Sequence, residues 1–150
     1  MPGEKIYLGL TGITLTHNVR RIRQAQRLGF TELSRRLLSL GRPIAPLGLR
    51  RIESGDRRVD VDDLMALAVV LDVSPIALLA PPTDNSQTKV EATATGKHPA
   101  DELWAWLQAR APFKSSRQNF IEFALRSRPE WDLDTLGAEL QELNRDHEHR

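Results

Sequence analysis

The chain has 150 residues, a formal net charge of +1, 40% hydrophobic and 27% charged residues, and no cysteine. That composition suits one domain, or a small domain with an accessory piece, and it excludes a disulfide framework, a thiolate zinc site and a cysteine nucleophile. No apolar run reaches the roughly 18 residues of a membrane span, so none is expected.

The stretch Lys5-Ile6-Tyr7-Leu8-Gly9-Leu10 lacks the long apolar region and the small-residue cleavage site of a signal peptide, so a cytoplasmic location is expected. Ile6, Leu8 and Leu10 alternate as in a short strand with Thr11-Gly12 as its turn. Residues 1–16 are nevertheless read as a loose N-terminal extension. Val19 and Ile22 then predict a first helix from about Asn18 to Arg27, capped by Thr16 or Asn18. Arg20, Arg21 and Arg23 fall off its apolar face and read as solvated. Leu33, Leu37 and Leu40 predict a second helix from about Phe30 to Ser39, with Gly29 at the N-cap.

Gly41 to Pro46 form a long turn. Pro46 opens a third helix, where its missing N–H costs nothing, and Gly55 stands just past Ser54, where a helix ends with a left-handed residue. Leu49 and Ile52 share one face of this helix and Ile44 packs from the turn before it. Leu47, Arg50 and Arg51 are left to point elsewhere. A short helix with one buried stripe and exposed arginines suits insertion into a DNA major groove.

Asp60 caps a fourth helix whose core face is Val61, Leu64, Leu67, Ala68 and Leu71. Ser74-Pro75 opens a short fifth helix holding Ile76, Leu78 and Leu79, and Pro81-Pro82 ends the domain, which spans residues 17–82. Residues 83–99 are small and polar and read as a flexible linker. Three further helices are expected in a C-terminal region, residues 100–150. They run from Asp101 to Arg110, from Ser115 or Ser116 to Ser127, and from Asp132 to Arg145. The fold class is therefore all-α.

The small net charge hides an asymmetry. In residues 1–60, twelve Lys and Arg stand against five Asp and Glu, a net of +7; in residues 61–150, nine stand against fifteen, a net of −6. Eleven of those first twelve are arginine, the side chain that grips phosphates bidentately. Such a basic half points to a polyanion. The aromatics cluster at the other end: Trp104, Trp106, Phe113, Phe120, Phe123 and Trp131.

On Val19, Ile22, Leu33, Ser34, Leu37, Ile44, Leu49, Ile52, Glu53, Gly55, Leu64, Leu67, Ala68, Val73, Ser74 and Leu78, residues 17–80 resemble the lambda-repressor-like, Xre-type helix-turn-helix family. The likeness is to variants common in actinobacterial regulators. It implies a five-helix bundle, sequence-specific binding of double-stranded DNA, usually as a symmetric homodimer, and repression by operator occlusion. Gly29 and Phe30 stand where many members carry a hydroxyl cap and a DNA-contacting Gln. The turn before the third helix is longer than usual.

Base reading is accordingly expected to fall on Arg50, paired with guanine O6 and N7 or else with a phosphate, and on Leu47 against a thymine methyl, with Pro46 beside it. Arg51 reaches a phosphate or pairs with Glu32 or Glu53. Arg42, Arg57 and Arg58 are expected on phosphates, and Thr31 joins the interface from the second helix. Glu53 reads as structural.

In the C-terminal region Trp104, Trp106, Phe120, Phe123, Leu136 and Leu140 read as the core of a small helical subdomain. About fifty residues bury little surface alone, so the same residues are expected to dimerise the chain, dock on the first domain or bind a protein partner. The tail Asp146-His147-Glu148-His149 reads as a solvated terminus, and Asp62-Asp63 and Glu130-Asp132-Asp134 as helix N-terminal acids. No phosphate-binding loop, metal-ligand spacing or nucleophile motif occurs, so no enzyme, metal or cofactor is expected. Two other readings stay open: an antitoxin whose C-terminal region binds its toxin, and a protein-interaction adaptor without DNA binding.

Overall fold

The computed structural model describes residues 6–113 and 116–148, with backbone alone at 147 and 148. Lys5, Ser115, His149 and the His147 side chain lie outside the described residues. Among the described residues the chain is mostly helical with a small two-stranded sheet, so it is largely α and not the all-α expected. It divides into two compact units, Met1–Ala100 and Asp101–Arg150.

In the first unit, α1 (Leu10–Ala25), α2 (Phe30–Ser39), α3 (Pro46–Ser54), α4 (Val61–Val70) and α5 (Pro75–Leu79) precede a hairpin of β1 (Lys89–Ala92) and β2 (Gly96–Pro99). α1 packs on α5 and α3, α2 on α3 and α4, and α4 on α5. The core between them holds Leu15, Val19 and Ile22 of α1, Leu33 and Leu37 of α2, and Leu49 and Ile52 of α3. Ile44 joins from the turn, Leu67, Ala68, Val70 and Leu71 from α4 and its end, and Leu78 from α5.

Local chemistry sets the middle of this unit as expected. Gly29 is the N-cap of α2, Pro46 opens α3, and Gly55 closes it at φ 82° in the left-handed region. The Asp60 carboxylate accepts from Asp63 N–H at 2.7 Å and caps α4.

Three expectations fail around it. α1 starts at Leu10, so the supposed loose extension is partly helix and Thr11-Gly12 lies in its first turn, not in a strand turn. Leu15 extends the Val19–Ile22 stripe back by one turn, and that buried stripe carries the helix. Neither Thr16 nor Asn18 caps it. Asn18 is fully buried mid-helix, and its Nδ2 donates to Leu78 O at 3.1 Å and Ala80 O at 2.8 Å, tying α1 to the end of α5. Val61 is not core either: with Met65 and Val69 it forms an exposed apolar stripe on α4.

The stretch read as a flexible linker also holds structure. β1 and β2 pair antiparallel with Lys89 opposite Pro99 and Ala92 opposite Gly96. In the turn between them, Thr93 N–H donates to Thr11 Oγ1 at 2.9 Å, and Thr93 Oγ1 accepts from Thr11 N–H at 3.1 Å. Gly9, the N-cap of α1, makes no side-chain cap, and Thr93 supplies that acceptor from across the unit.

The second unit holds α6 (Ala100–Leu107), α7 (Arg117–Ser127), a 3₁₀ segment (Glu130–Thr135) and α8 (Leu136–Glu148). α6 stops short of the expected Arg110, and Ala109 turns left-handed at φ 58°. Ser116 caps α7 by accepting from Asn119 N–H at 3.1 Å. The helix expected from Asp132 begins as 3₁₀ and becomes α-helical at Leu136. Arg128 is buried at the end of α7. Its guanidinium donates to Ala109 O, Arg110 O and both Glu139 oxygens at 2.8–3.0 Å. Among the described residues, no helix is long and apolar enough to cross a membrane.

Candidate nucleic-acid interface

α3 is two-sided. Leu49, Ile52 and Glu53 are buried, whereas Leu47, Arg50 and Arg51 are exposed, Leu47 at 59%. This division follows from the helical repeat, since positions 49, 52 and 53 share a face that 47, 50 and 51 do not. Pro46 is half-buried at the first turn, and Thr31 is exposed at the start of α2.

α3 is held by Glu53. Its carboxylate accepts from Arg23 Nε at 2.5 Å and Arg23 Nη2 at 3.0 Å, with Arg20 at 3.6 Å from the same group. Arg23 Nη1 donates to Leu28 O at 2.8 Å. The Glu53 hydrogen bond raises the Arg23 pKa above its ordinary value, against the opposing effect of burial. Arg23 is thus no solvated cation, contrary to expectation: its side chain is 11% exposed and bolts α1 to α3. Ser34 Oγ donates to Ile44 O at 2.7 Å and joins α2 to the turn before α3.

The other arginines divide into engaged and open. Arg35 and Arg36 both donate to Glu32 at 2.8–2.9 Å. Their hydrogen bonds, Arg35 first, hold its pKa at about 2. Arg42 spans the start of α4, donating to Asp63 at 2.8 Å and Asp60 at 2.8–3.0 Å, with Asp62 3.9 Å away. Its pKa is raised chiefly by the Asp63 hydrogen bond. Asp60 is lowered, first by the Asp63 backbone N–H and then by Arg42. Held by these carboxylates, Arg42 braces the turn against the start of α4.

Arg57 donates weakly to Asp63 at 3.4 Å and lies over Gly48, where an added Cβ would stand 2.6 Å from its Nη1. Arg58 is exposed and donates to Tyr7 O at 3.0 Å, and no acid pairs with it among the described residues. Arg51 is exposed and, among the described residues, its side chain makes no hydrogen bond or ion pair. It pairs with neither Glu32 nor Glu53, which accept from Arg35 and Arg36 and from Arg23 respectively.

Arg50 is likewise unpaired by any acid among the described residues, but its guanidinium carbon lies 5.3 Å from the centroid of the Phe30 ring. The same ring has Arg23 at 4.1 Å. Sequence reasoning treated Phe30 only as a missing polar contact. An aromatic at a helix start amid arginine-rich segments is the signal from which these cation–ring contacts could have been found. The arrangement can present open guanidinium groups from one short helix to a polyanion.

The aromatic set of the second unit lies partly inside it. Phe120 is buried beneath Arg128, whose guanidinium carbon is 5.8 Å from its centroid. Trp106 stacks on Phe113 at 5.0 Å. Phe123, Leu136 and Leu140 are half-buried, and Trp104 is 38% and Trp131 77% exposed. Among the described residues, no group of three or more His, Asp or Glu is arranged to hold a metal.

No family model, no curated protein and no solved structure matches this chain.

Proposed function

We propose that α2, the turn and α3 form the helix-turn-helix of a lambda-repressor-like domain, and that the chain is a sequence-specific regulator binding double-stranded DNA. One observation carries the reading. α3 buries Leu49, Ile52 and Glu53 and exposes Leu47, Arg50 and Arg51, while nearby Arg23, Arg35, Arg36 and Arg42 are consumed by internal carboxylates. The cations left open on α3 are those a groove-binding helix needs. Repression by a homodimer that occludes an operator is the mode the resemblance implies, with half-sites about 34–36 Å apart.

The test is selection of bound duplexes from a random pool with the wild type and Arg50→Ala. A palindromic motif that blurs at one symmetric position in the variant supports dimeric, base-specific binding through Arg50. No enriched motif from the wild type overturns the reading. It would then favour a protein-interaction adaptor, for which the exposed Val61, Met65 and Val69 stripe on α4 offers a docking face.

A further inference from the structure

Phe30 is half-buried at the first position of α2 and packs against the core of the first unit. Two arginines from two other helices meet its ring: Arg23 of α1 at 4.1 Å and Arg50 of α3 at 5.3 Å. They differ in freedom. Arg23 is locked by both Glu53 oxygens and by Leu28 O. Arg50 is exposed, and the ring is the partner that the described residues offer its guanidinium. Glu53 and Arg50 lie one turn apart on α3, so the pair that fixes Arg23 also fixes where α3 holds Arg50 relative to the ring.

An exposed arginine loses much rotamer entropy when it forms a bidentate contact. A ring face that already restricts the guanidinium removes part of that loss before binding. We propose that Phe30 is a positioning residue for Arg50, confining its guanidinium so that it meets a guanine edge in a defined orientation. The proposal rests on the DNA-binding reading above and assigns base selectivity to a side chain with no polar atom of its own. The residue that replaces a polar DNA contact thus acts through its neighbour on α3.

The experiment uses the full chain as wild type, Phe30→Leu, Phe30→Tyr, Arg50→Ala and the double variant Phe30→Leu/Arg50→Ala. Leucine keeps apolar volume at the core edge and removes the ring; tyrosine keeps the ring. Duplex selection is read at the position that Arg50→Ala blurs. Phe30→Leu is expected to lower discrimination there by about 3- to 10-fold, the range of an exposed to partly desolvated cation–π contact. Phe30→Tyr should retain it within about twofold, and in the Arg50→Ala background Phe30→Leu should change nothing further.

The free proteins give a second readout. Arg50 side-chain protons should show a ring-current shift in the wild type and in Phe30→Tyr that disappears in Phe30→Leu. Unchanged discrimination in Phe30→Leu, or an equal loss on every duplex, overturns the positioning role alone. Absence of the ring-current shift does the same without any DNA present. A wild type that enriches no motif overturns the DNA-binding reading and the proposal with it.

Discussion

Thr11 and Thr93 cap each other across 82 residues of sequence, each backbone N–H donating to the other's hydroxyl. The contact anchors the hairpin turn to the first turn of α1, whose own N-cap residue is a glycine without a side-chain acceptor. Thr93→Val keeps the shape and removes the acceptor. It should cost about 1 kcal/mol, the usual worth of a cap, and speed amide exchange at Thr11 and along the hairpin turn. Unchanged exchange at Thr11 would show that the bond does not hold the helix start.

Among the described residues of the first unit, Glu53 and Arg23 form the most enclosed ion pair, with side chains 4% and 11% exposed. Truncating one partner strands the other charge. Glu53→Ala should therefore destabilise the protein by about 3–5 kcal/mol in urea unfolding. Arg23→Met/Glu53→Leu, which removes both charges, should lose much less. Equal losses in the two would mean that packing, not the unpaired charge, sets the cost.

Acid should weaken the first unit in a defined window. The Glu32 pKa stands at about 2 against an ordinary 4.5, because Arg35 and Arg36 bond the carboxylate. A depressed carboxylate contributes stability above its unfolded pKa and loses it as pH falls through the folded value. The Glu32 contribution is thus complete above about pH 4.5 and gone below about pH 2. Asp60 shifts the same way, mainly through the Asp63 N–H at the start of α4. Carboxyl NMR of Glu32 should titrate near pH 2, and Arg35→Ala/Arg36→Ala should return it toward 4.5. A midpoint near 4.5 in the wild type would dissolve this pair as a stable contact.

The second unit depends on Arg128. Its fork satisfies two backbone carbonyls and Glu139, whose pKa it lowers, first by the hydrogen bond. A lysine cannot reproduce that planar geometry. Arg128→Lys should cost about 3 kcal/mol by leaving buried acceptors unpaired, a large share of what a unit this small can hold. Trp104, Trp106 and Trp131 all lie in this unit, so tryptophan fluorescence during thermal unfolding reads it directly. An unshifted fluorescence transition would deny Arg128 that role.

Arg51 and Arg50 should separate on DNA. Arg51, open and beside the reading position, is expected on a phosphate. Arg51→Ala should weaken all duplexes alike and reduce the slope of log K against log salt by about one. A change in sequence preference with an unchanged slope would put Arg51 on a base instead.

The middle of the first unit was legible in the sequence because its boundaries are made by residues acting locally. Pro46 at a first turn, Gly55 at positive φ and Asp60 as a cap each act within four residues, and they placed α3 and the start of α4 correctly. The buried stripe of Leu49 and Ile52 followed from the helical repeat, and with it the exposure of Leu47, Arg50 and Arg51. Glu53 reads from the sequence as structural, pairing with a nearby arginine, and Arg23 is that arginine.

The start of α1, the hairpin, the buried Asn18 and the partners of Arg23 and Arg42 were decided by tertiary structure alone. Periodicity counts apolar positions within one helix and does not see an acceptor such as Thr93 or Ala80, 62 or more residues away. Charge along the chain marked the first half as basic, but not which cations it neutralises internally. That depends on which acids fold beside them: Asp60 and Asp63 on Arg42, Glu53 on Arg23, Glu32 on Arg35 and Arg36, and none on Arg50 or Arg51 among the described residues. Sequence thus determined a two-sided helix in a basic half, and the packing of α1 and α2 on it, with Asp60 and Asp63 beside Arg42, selected the arginines left without an acid among the described residues, because an ion pair is set by distance in space and not by separation along the chain.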